Sequence, residues 1–241
     1  MISVTPFEKL GTFQNDWLNA HYHFSFAGYM NPARMGLGAL RVWNDDTIEA
    51  NTGFDPHPHR DMEIVTYVRT GAITHQDSLG NRGVTGAGDV QVMHAGTGIV
   101  HAERNEEDGP TTLFQIWILP DRAGHEPGWQ AREFPKAPVT DGLKVLASGR
   151  GRAEDGDALP IHQDAAVLGG RLAAGTTITL KIGKGRAAYL VPSDGRIELS
   201  GGETEGHRAD KRAGVHITDE DAITITALED AEVVMVETAV G

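Results

Sequence analysis

The sequence of 241 residues contains no cysteine. This absence excludes disulfide frameworks, iron–sulfur clusters and thiolate zinc sites. Basic residues are also scarce, because 21 lysines and arginines face 34 aspartates and glutamates, for a net charge of −13. That balance argues against electrostatic binding to nucleic acid or to an anionic lipid surface. A metal site in this chain would therefore be built from nitrogen and oxygen ligands.

Long apolar runs are missing as well. No stretch reaches the roughly 18 consecutive apolar residues that indicate a membrane span. The N-terminal residues lack the basic segment and apolar run of a secretory signal peptide, so we expect a cytoplasmic protein. The sequence shows no heptads and no long amphipathic helix, and we therefore expect a monomer.

Glycine, by contrast, is abundant, with 30 residues in the chain. Short β-branched segments of alternating polarity recur, separated by turn signals at intervals of roughly 8–12 residues. This spacing predicts an all-β protein of sandwich or barrel type. One of the predicted strands is HFSFAG at 23–28, and a brief helical turn is predicted at RAGHEPGWQ, residues 122–130.

The aromatic residues divide the chain into two parts. Every tryptophan, phenylalanine and tyrosine except Tyr189 precedes residue 136. The segment EFPKAPVTDG at 133–142 contains two prolines and is typical of a linker. We therefore predict two domains, at 1–135 and at 136–241.

Two pairs of residues in the first domain have the spacing of metal ligands. His57 and His59 lie in GFDPHPHRDMEIVTYVRTG, and side chains at i and i+2 project from the same face of a strand. His101 and Glu103 repeat this spacing in GDVQVMHAGTGIVHAERN. Facing each other inside a barrel, the pairs would surround one cation. Glu63 is an even number of residues from His57 and would face the same way on an undistorted strand. The choice between Glu63 and Glu103 as the carboxylate ligand therefore stays open at this point.

Three imidazoles and a carboxylate suit a borderline divalent ion such as iron, nickel, copper, zinc or manganese. Four protein ligands would leave an octahedral ion two open positions, which a closed tetrahedral zinc site lacks. Such positions could take water, dioxygen or a chelating substrate. The pattern therefore predicts a reactive metal centre.

The other histidines give a weaker signal. His21 and His23 also form an i, i+2 pair, but adjacent phenylalanines indicate an ordinary packed strand. His75 is expected to hydrogen-bond within a turn near Asp77, and His94 to point away from the metal. We expect no ligands among the scattered histidines of the second domain, which are His162, His207 and His216.

The two histidine-containing segments resemble the paired motifs of cupins and, more narrowly, those of the pirin family. The segments HFSFAGYMNP, LRVWNDD and IHQDAAVLGGRL extend the resemblance over most of the chain. It implies a bicupin, that is, two tandem antiparallel β-barrels of the jelly-roll type with metal only in the first. In pirins the carboxylate ligand is the glutamate of the second motif, here Glu103, joined by His57, His59 and His101. Glu63, the ligand position of general cupins, is then expected to orient a ligand or to line the barrel.

The resemblance implies two functions of different classes. One is a flavonol (quercetin) 2,3-dioxygenase that opens the heterocyclic ring with O2 and releases CO, with Glu103 as the general base. Iron(II) is the expected ion, with copper, nickel, zinc and manganese as alternatives. The other function is a metal-binding regulator that acts through protein partners. A barrel with a purely structural metal is the third interpretation.

Overall fold

The computed structural model describes residues 1–202 and 204–240, and strands make up most of them. None of the helical segments in these residues has the length and apolar character needed to cross a membrane. Two short 3-10 turns lie at Phe7–Lys9 and Ala153–Asp155. The strands are β1 (Ile2–Thr5), β2 (Gly11–Gln14), β3 (Leu18–Tyr22), β4 (Leu40–Ile48), β5 (Gly53–His59), β6 (Glu63–Thr70), β7 (Ala72–Asp77), β8 (Arg82–Gly86), β9 (Val90–His94), β10 (Ile99–Arg104), β11 (Thr111–Ile118), β12 (Gly128–Arg132), β13 (Lys144–Ser148), β14 (Leu159–Pro160), β15 (Ala165–Leu172), β16 (Thr177–Lys181), β17 (Arg186–Asp194), β18 (Ile197–Gly201), β19 (Thr204–Ala209), β20 (Gly214–Thr218), β21 (Ala222–Ala227) and β22 (Ala231–Ala239).

These strands form two sandwiches, each made of a seven-stranded and a four-stranded sheet. The N-terminal sandwich has the strand orders β12-β9-β6-β11-β4-β3-β2 and β5-β10-β7-β8. The C-terminal sandwich has the orders β1-β20-β17-β22-β15-β13-β14 and β16-β21-β18-β19. Neighbouring strands are antiparallel, apart from the parallel pair of β13 and β14. The predicted all-β architecture of two tandem jelly rolls is therefore confirmed.

Strand β11 shows why both faces of the large N-terminal sheet are apolar. Its Leu113 faces the interior of the N-terminal sandwich, where it packs in one cluster with Ile48 and Ile73. The alternate residues face the C-terminal sandwich and share a second cluster with Tyr189 and Val234; they are Phe114, Ile116 and Ile118. A strand that is buried on both sides reads as a nearly continuous apolar run. The two large sheets thus pack face to face, and the sandwiches share a core.

Two local predictions are wrong. Residues 23–28 form turns rather than a strand, because Ala27 has a φ of 48° and Ser25 N–H donates to the Arg34 carbonyl at 2.7 Å. Residues 122–130 form no helix, since Gly124 has a φ of 80° and the segment ends in β12, which pairs with β9. Turn-forming residues decide the backbone at both places.

The chain passes from one sandwich to the other between Arg132 and Lys144, a stretch that contains the predicted linker at 133–142. One strand departs from the predicted division. β1 lies in the C-terminal sandwich, where Ile2 is paired with Ile217 and Val4 with Val215. β1 pairs with the outer edge of β20. Without β1, the backbone N–H and C=O groups along that edge would be unpaired.

The shared core generates a prediction for Phe114, which is completely buried between the sandwiches. Phe114→Ala should lower the free energy of unfolding by about 3–5 kcal/mol, because it removes apolar contacts and leaves a cavity. Guanidinium denaturation measures this change. Val84→Ala, at a position that is 63% exposed, is the control and should stay within about 0.5 kcal/mol of the wild type. Equal effects of the two substitutions would contradict the shared core.

Candidate metal centre

The pairing of β5 with β10 brings the predicted histidines together. β5 lies at the edge of its sheet, and its prolines Pro56 and Pro58 alternate with His57 and His59. Proline has no backbone N–H, so it is tolerated on an edge strand and prevents further pairing there. His57 lies directly opposite His101 in the antiparallel register. Because side chains alternate along the strand, His57 and His59 project from the same face of the sheet as His101.

The three-histidine site consists of His57, His59 and His101. The ring centroids are 4.8 Å apart between His57 and His59, 4.5 Å between His57 and His101, and 5.0 Å between His59 and His101. One nitrogen from each ring lies within 4.8 Å of the other two. This convergence is the arrangement that a single ion requires.

A hydrogen-bond chain fixes the tautomer of His101. The Asp77 carboxylate only accepts, so the His75 Nε2–H donates to it at 3.1 Å. The His75 Nδ1 is then left as an acceptor, and the His101 Nδ1–H donates to it at 3.4 Å. The His101 Nε2 consequently carries a lone pair, and this atom is buried with no hydrogen-bond partner in the described part of the chain.

Each member of this chain is itself held in place. The Asp77 carboxylate accepts hydrogen bonds from Leu79 N at 2.9 Å and from both Asn81 nitrogens, at 3.0 and 2.9 Å. Burial raises the pKa of Asp77, but the hydrogen bonds from Asn81 and His75 outweigh it and hold the pKa below its usual value. The His75 ring stacks on Trp129 at 4.9 Å with an angle of 6° between the planes. The hydrogen-bonded side chains of Asp77, His75 and His101 are therefore held in place without an ion.

A similar contact orients His57, whose Nδ1–H donates to the Asp55 carbonyl at 2.7 Å and leaves Nε2 free. Burial and the neighbouring His57 lower the pKa of His59 to about 4. Burial, together with His57 and His59, lowers the pKa of His101 to about 2. His59 and His101 are accordingly neutral at neutral pH, which is the form that binds a metal.

Glu103 lies next to this site on the inner side of the sandwich. One carboxylate oxygen of Glu103, one ring nitrogen of His75 and one of His101 all lie within 4.8 Å of one another. The Glu103 carboxylate accepts hydrogen bonds from Gln91 Nε2 at 2.7 Å and Gln115 Nε2 at 2.5 Å. Burial raises the pKa of Glu103 to about 7, although these hydrogen bonds act in the opposite direction. Three of the predicted ligands thus form one group, and the fourth adjoins it through His101.

Sequence reasoning missed the two glutamines and the contact between His75 and His101. Gln91 and Gln115 are buried at interior-facing positions, and the residues on either side of each in sequence are apolar. A polar residue in such a strand is a signal in itself, because a buried polar group needs a partner. The predicted hydrogen bond between His75 and Asp77 is present.

The expected role of Glu63 beside a ligand or inside the barrel is wrong. β5 ends at His59, Asp61 adopts a φ of 48°, and a new strand begins at Glu63, so the parity of His57 does not carry over. Glu63 faces the C-terminal sandwich, where its carboxylate accepts from His94 Nδ1 at 2.6 Å and from His162 Nδ1 at 3.2 Å. His94 points away from the three-histidine site, as predicted, but His162 is not the ordinary histidine that we expect from sequence.

The donors present fit a divalent ion. The site offers neutral imidazoles, an unpartnered buried nitrogen on His101 and an adjacent carboxylate, a set that suits borderline metals. A surface depression of about 370 Å³ reaches the site, with His59, Arg60 and Ile99 in its wall. The Trp117 ring lies edge-on to His59 at 5.0 Å on the interior side. The site is therefore accessible from solvent at His59, whose ring also contacts an aromatic side chain in the interior.

Comparisons with known proteins agree with this fold. The chain matches the family model Pirin over residues 4–118 and the model of the quercetinase C-terminal cupin domain over residues 145–238. It is 56% identical to a pirin-like protein of Caulobacter vibrioides over 239 residues, which cover 99% of this chain and 100% of that protein. It is 38% identical to the quercetin 2,3-dioxygenase of Escherichia coli K12 over 236 residues, 98% of this chain and 97% of the relative. The crystal structure of the bacterial pirin YhhW in complex with nickel(II), from Escherichia coli, superposes with a TM-score of 0.90 at 36% identity and full coverage of both chains.

The hydrogen-bond chain from Asp77 generates a prediction. Asp77→Asn keeps the Oδ1 that accepts from the backbone N–H groups of Leu79 and Asn81. It replaces the Oδ2 that accepts from His75 Nε2 and Asn81 Nδ2 with an amide that donates. We expect the dissociation constant for nickel(II) to rise about 10–100-fold, because loss of a group that orients a metal ligand through hydrogen bonds typically weakens metal binding by this factor. Competition against a chelator at neutral pH measures it.

Asp55→Asn is the matched control, because the Asp55 side chain is 90% exposed and only its backbone carbonyl contacts His57. Its affinity for nickel(II) should equal that of the wild type. Wild-type affinity in Asp77→Asn would contradict the role of the chain in fixing His101.

Proposed function

The chain belongs to the pirin family, and from this premise and the geometry of the three-histidine site we propose that it is a metal-dependent flavonol 2,3-dioxygenase. The observation that carries the proposal is the convergence of His57, His59 and His101, with a lone pair of His101 left without a partner among the residues that the structure describes. The relatives named above support the same reaction class, since one of them is a quercetin 2,3-dioxygenase. The substrates would be a flavonol such as quercetin and O2, and CO would be a product.

Four side chains would hold the ion, namely His57, His59, His101 and Glu103. Iron(II) is the proposed ion because of the resemblance to pirins, and the imidazole and carboxylate donors would hold it as they would other borderline metals. When bound, the ion would supply a Lewis acid for the substrate oxygen, while the flavonol itself would supply the electrons that reduce O2. The nickel(II) complex of the Escherichia coli pirin indicates that related sites also accept another borderline metal.

Glu103 is the proposed general base for the 3-hydroxyl of the flavonol. The hydroxyl proton would pass to a carboxylate oxygen, leaving a substrate oxyanion and a neutral Glu103. The amide groups of Gln91 and Gln115 donate to separate oxygens of this carboxylate and so limit its rotation. A base that is held in one orientation can accept the proton without first reorganising.

The surroundings of the site suit a planar aromatic ligand. Buried apolar residues stand close behind the histidines, in a cluster that includes Ile99 and Met93 with Trp117 and Trp129 packed against it. Ligand sites combine such apolar walls with a few polar groups that fix orientation. The metal chemistry in this proposal belongs to the domain at 1–135, while the domain at 136–241 covers the large sheet and contributes no ligand to the three-histidine site.

The proposal predicts loss of the visible absorption band of quercetin under oxygen. The iron(II)-loaded protein should turn over at about 1 s⁻¹ or faster, near the low end of typical enzymes. His57→Ala should abolish turnover, because it removes one ligand at the solvent side of the site. Glu103→Gln, which cannot accept the proton, should lower the rate as well. Release of CO in proportion to the quercetin consumed is the second readout.

A protein that holds a full equivalent of iron(II) at the three-histidine site but consumes no flavonol would contradict the dioxygenase. That outcome would favour the second function, a metal-binding regulator that acts through a protein partner. Equal turnover in the wild type and in His57→Ala would show that the reaction does not use this site.

A further inference from the structure

A second group of metal-ligating side chains lies between the two sandwiches. This interface cluster consists of Glu63, His94 and His162, and one ligand atom of each lies within 4.8 Å of the others. Glu63 begins β6, His94 ends β9, and the two are directly paired in the ladder. His162 precedes β15 and belongs to the C-terminal sandwich. The cluster shares no residue with the three-histidine site.

The cluster is largely shielded from water. The side chains of Glu63 and His94 are 1% and 7% exposed, whereas His162 is 37% exposed. Burial raises the pKa of Glu63, but the hydrogen bonds and charges of His94 and His162 bring it below its usual value. A buried carboxylate in this state needs compensation from hydrogen-bond donors or a cation.

His162 is also held by contacts with residues other than Glu63. The ring of His125 stacks on it at 3.9 Å, with 22° between the planes. The His125 Nε2–H donates to Asp121 at 2.6 Å, and the backbone N–H of Asp121 donates to the His162 carbonyl at 2.6 Å. The imidazole is thus ordered at the edge of the cluster although part of it is exposed.

We propose that the interface cluster is a second divalent metal site, which binds a zinc-like ion through the Glu63 carboxylate and the Nδ1 atoms of His94 and His162. Without metal, both Nδ1–H groups donate to Glu63. When an ion enters, each neutral ring gives up its Nδ1 proton and takes up one at Nε2, so that it stays neutral and its Nδ1 lone pair becomes a ligand. The exposed edge of His162 leaves room for water as a fourth ligand.

The distances support this exchange. In a tetrahedral zinc site with bonds of about 2.0–2.1 Å, neighbouring ligand atoms are about 3.3 Å apart. The carboxylate oxygens of Glu63 are now 2.6 Å from His94 Nδ1 and 3.2 Å from His162 Nδ1. A small opening of the closer pair would admit the ion. Since His162 comes from the other sandwich, the ion would also link the two.

The experiment uses zinc chloride as the probe. Protein is stripped with a chelator, loaded with a small excess of zinc, desalted, and analysed for zinc per chain. The wild type should hold two equivalents. His162→Ala should hold one, His101→Ala should hold one, and the double variant should hold none. His207→Ala, which removes a histidine of β19 outside both groups, is the control and should hold two.

His162→Ala is suited to this test because His162 is partly exposed. Glu63→Gln supplies a second variant of unchanged size and should also hold one equivalent. The interface site is overturned if the wild type holds a single equivalent that His101→Ala removes, or if both His162→Ala and Glu63→Gln hold as much zinc as the wild type. Either result leaves the three-histidine site and its flavonol chemistry unaffected, since those depend on the equivalent that His101→Ala removes.

Discussion

The position of β10 between β5 and β7 is the constraint on which the rest of the site depends. Its interior-facing residues include His101 and Glu103, and each gains a neighbour from an adjacent strand. On one side the register places His57 opposite His101, and on the other it places His75 opposite Glu103. A shift of the register by one residue would turn these side chains to the opposite face. The backbone pairing therefore assembles the ligands and the groups that orient them in a single step.

Burial then sets the chemistry of the assembled side chains. Imidazoles that are removed from water lose their charged form, and the depressed pKa values of His59 and His101 reflect this. The large sheet behind them is covered by the C-terminal sandwich, whose Tyr189 and Val234 pack in the shared core. That cover excludes water from one side of the sheet. The second sandwich thus acts on the metal chemistry through packing and needs no ligand of its own at the three-histidine site.

Local patterns in the sequence predict a large part of this arrangement. Alternation and turn spacing predict the strands, and the i, i+2 pairs identify His57, His59 and His101, because these signals depend on residues close in sequence. The alternation of side chains along β5 does not predict the direction of Glu63, because the strand ends before the turn at Asp61 and a new strand begins after it. The contact between Glu63 and His162 spans 99 positions, and the pairing of β1 with β20 spans more than two hundred. The first contact arises from the packing of the two sandwiches and the second from pairing within the C-terminal one, and neither leaves a pattern in the local sequence.

The central claim is that the fold presents a lone pair of His101 to the site before any ion binds. Long-range nitrogen–proton NMR correlations of the histidine rings in the metal-free protein at neutral pH test this most directly. We expect a neutral His101 that is protonated at Nδ1 and unprotonated at Nε2, and a neutral His75 that is protonated at Nε2. A His101 ring that is cationic, or that carries its proton on Nε2, would contradict it.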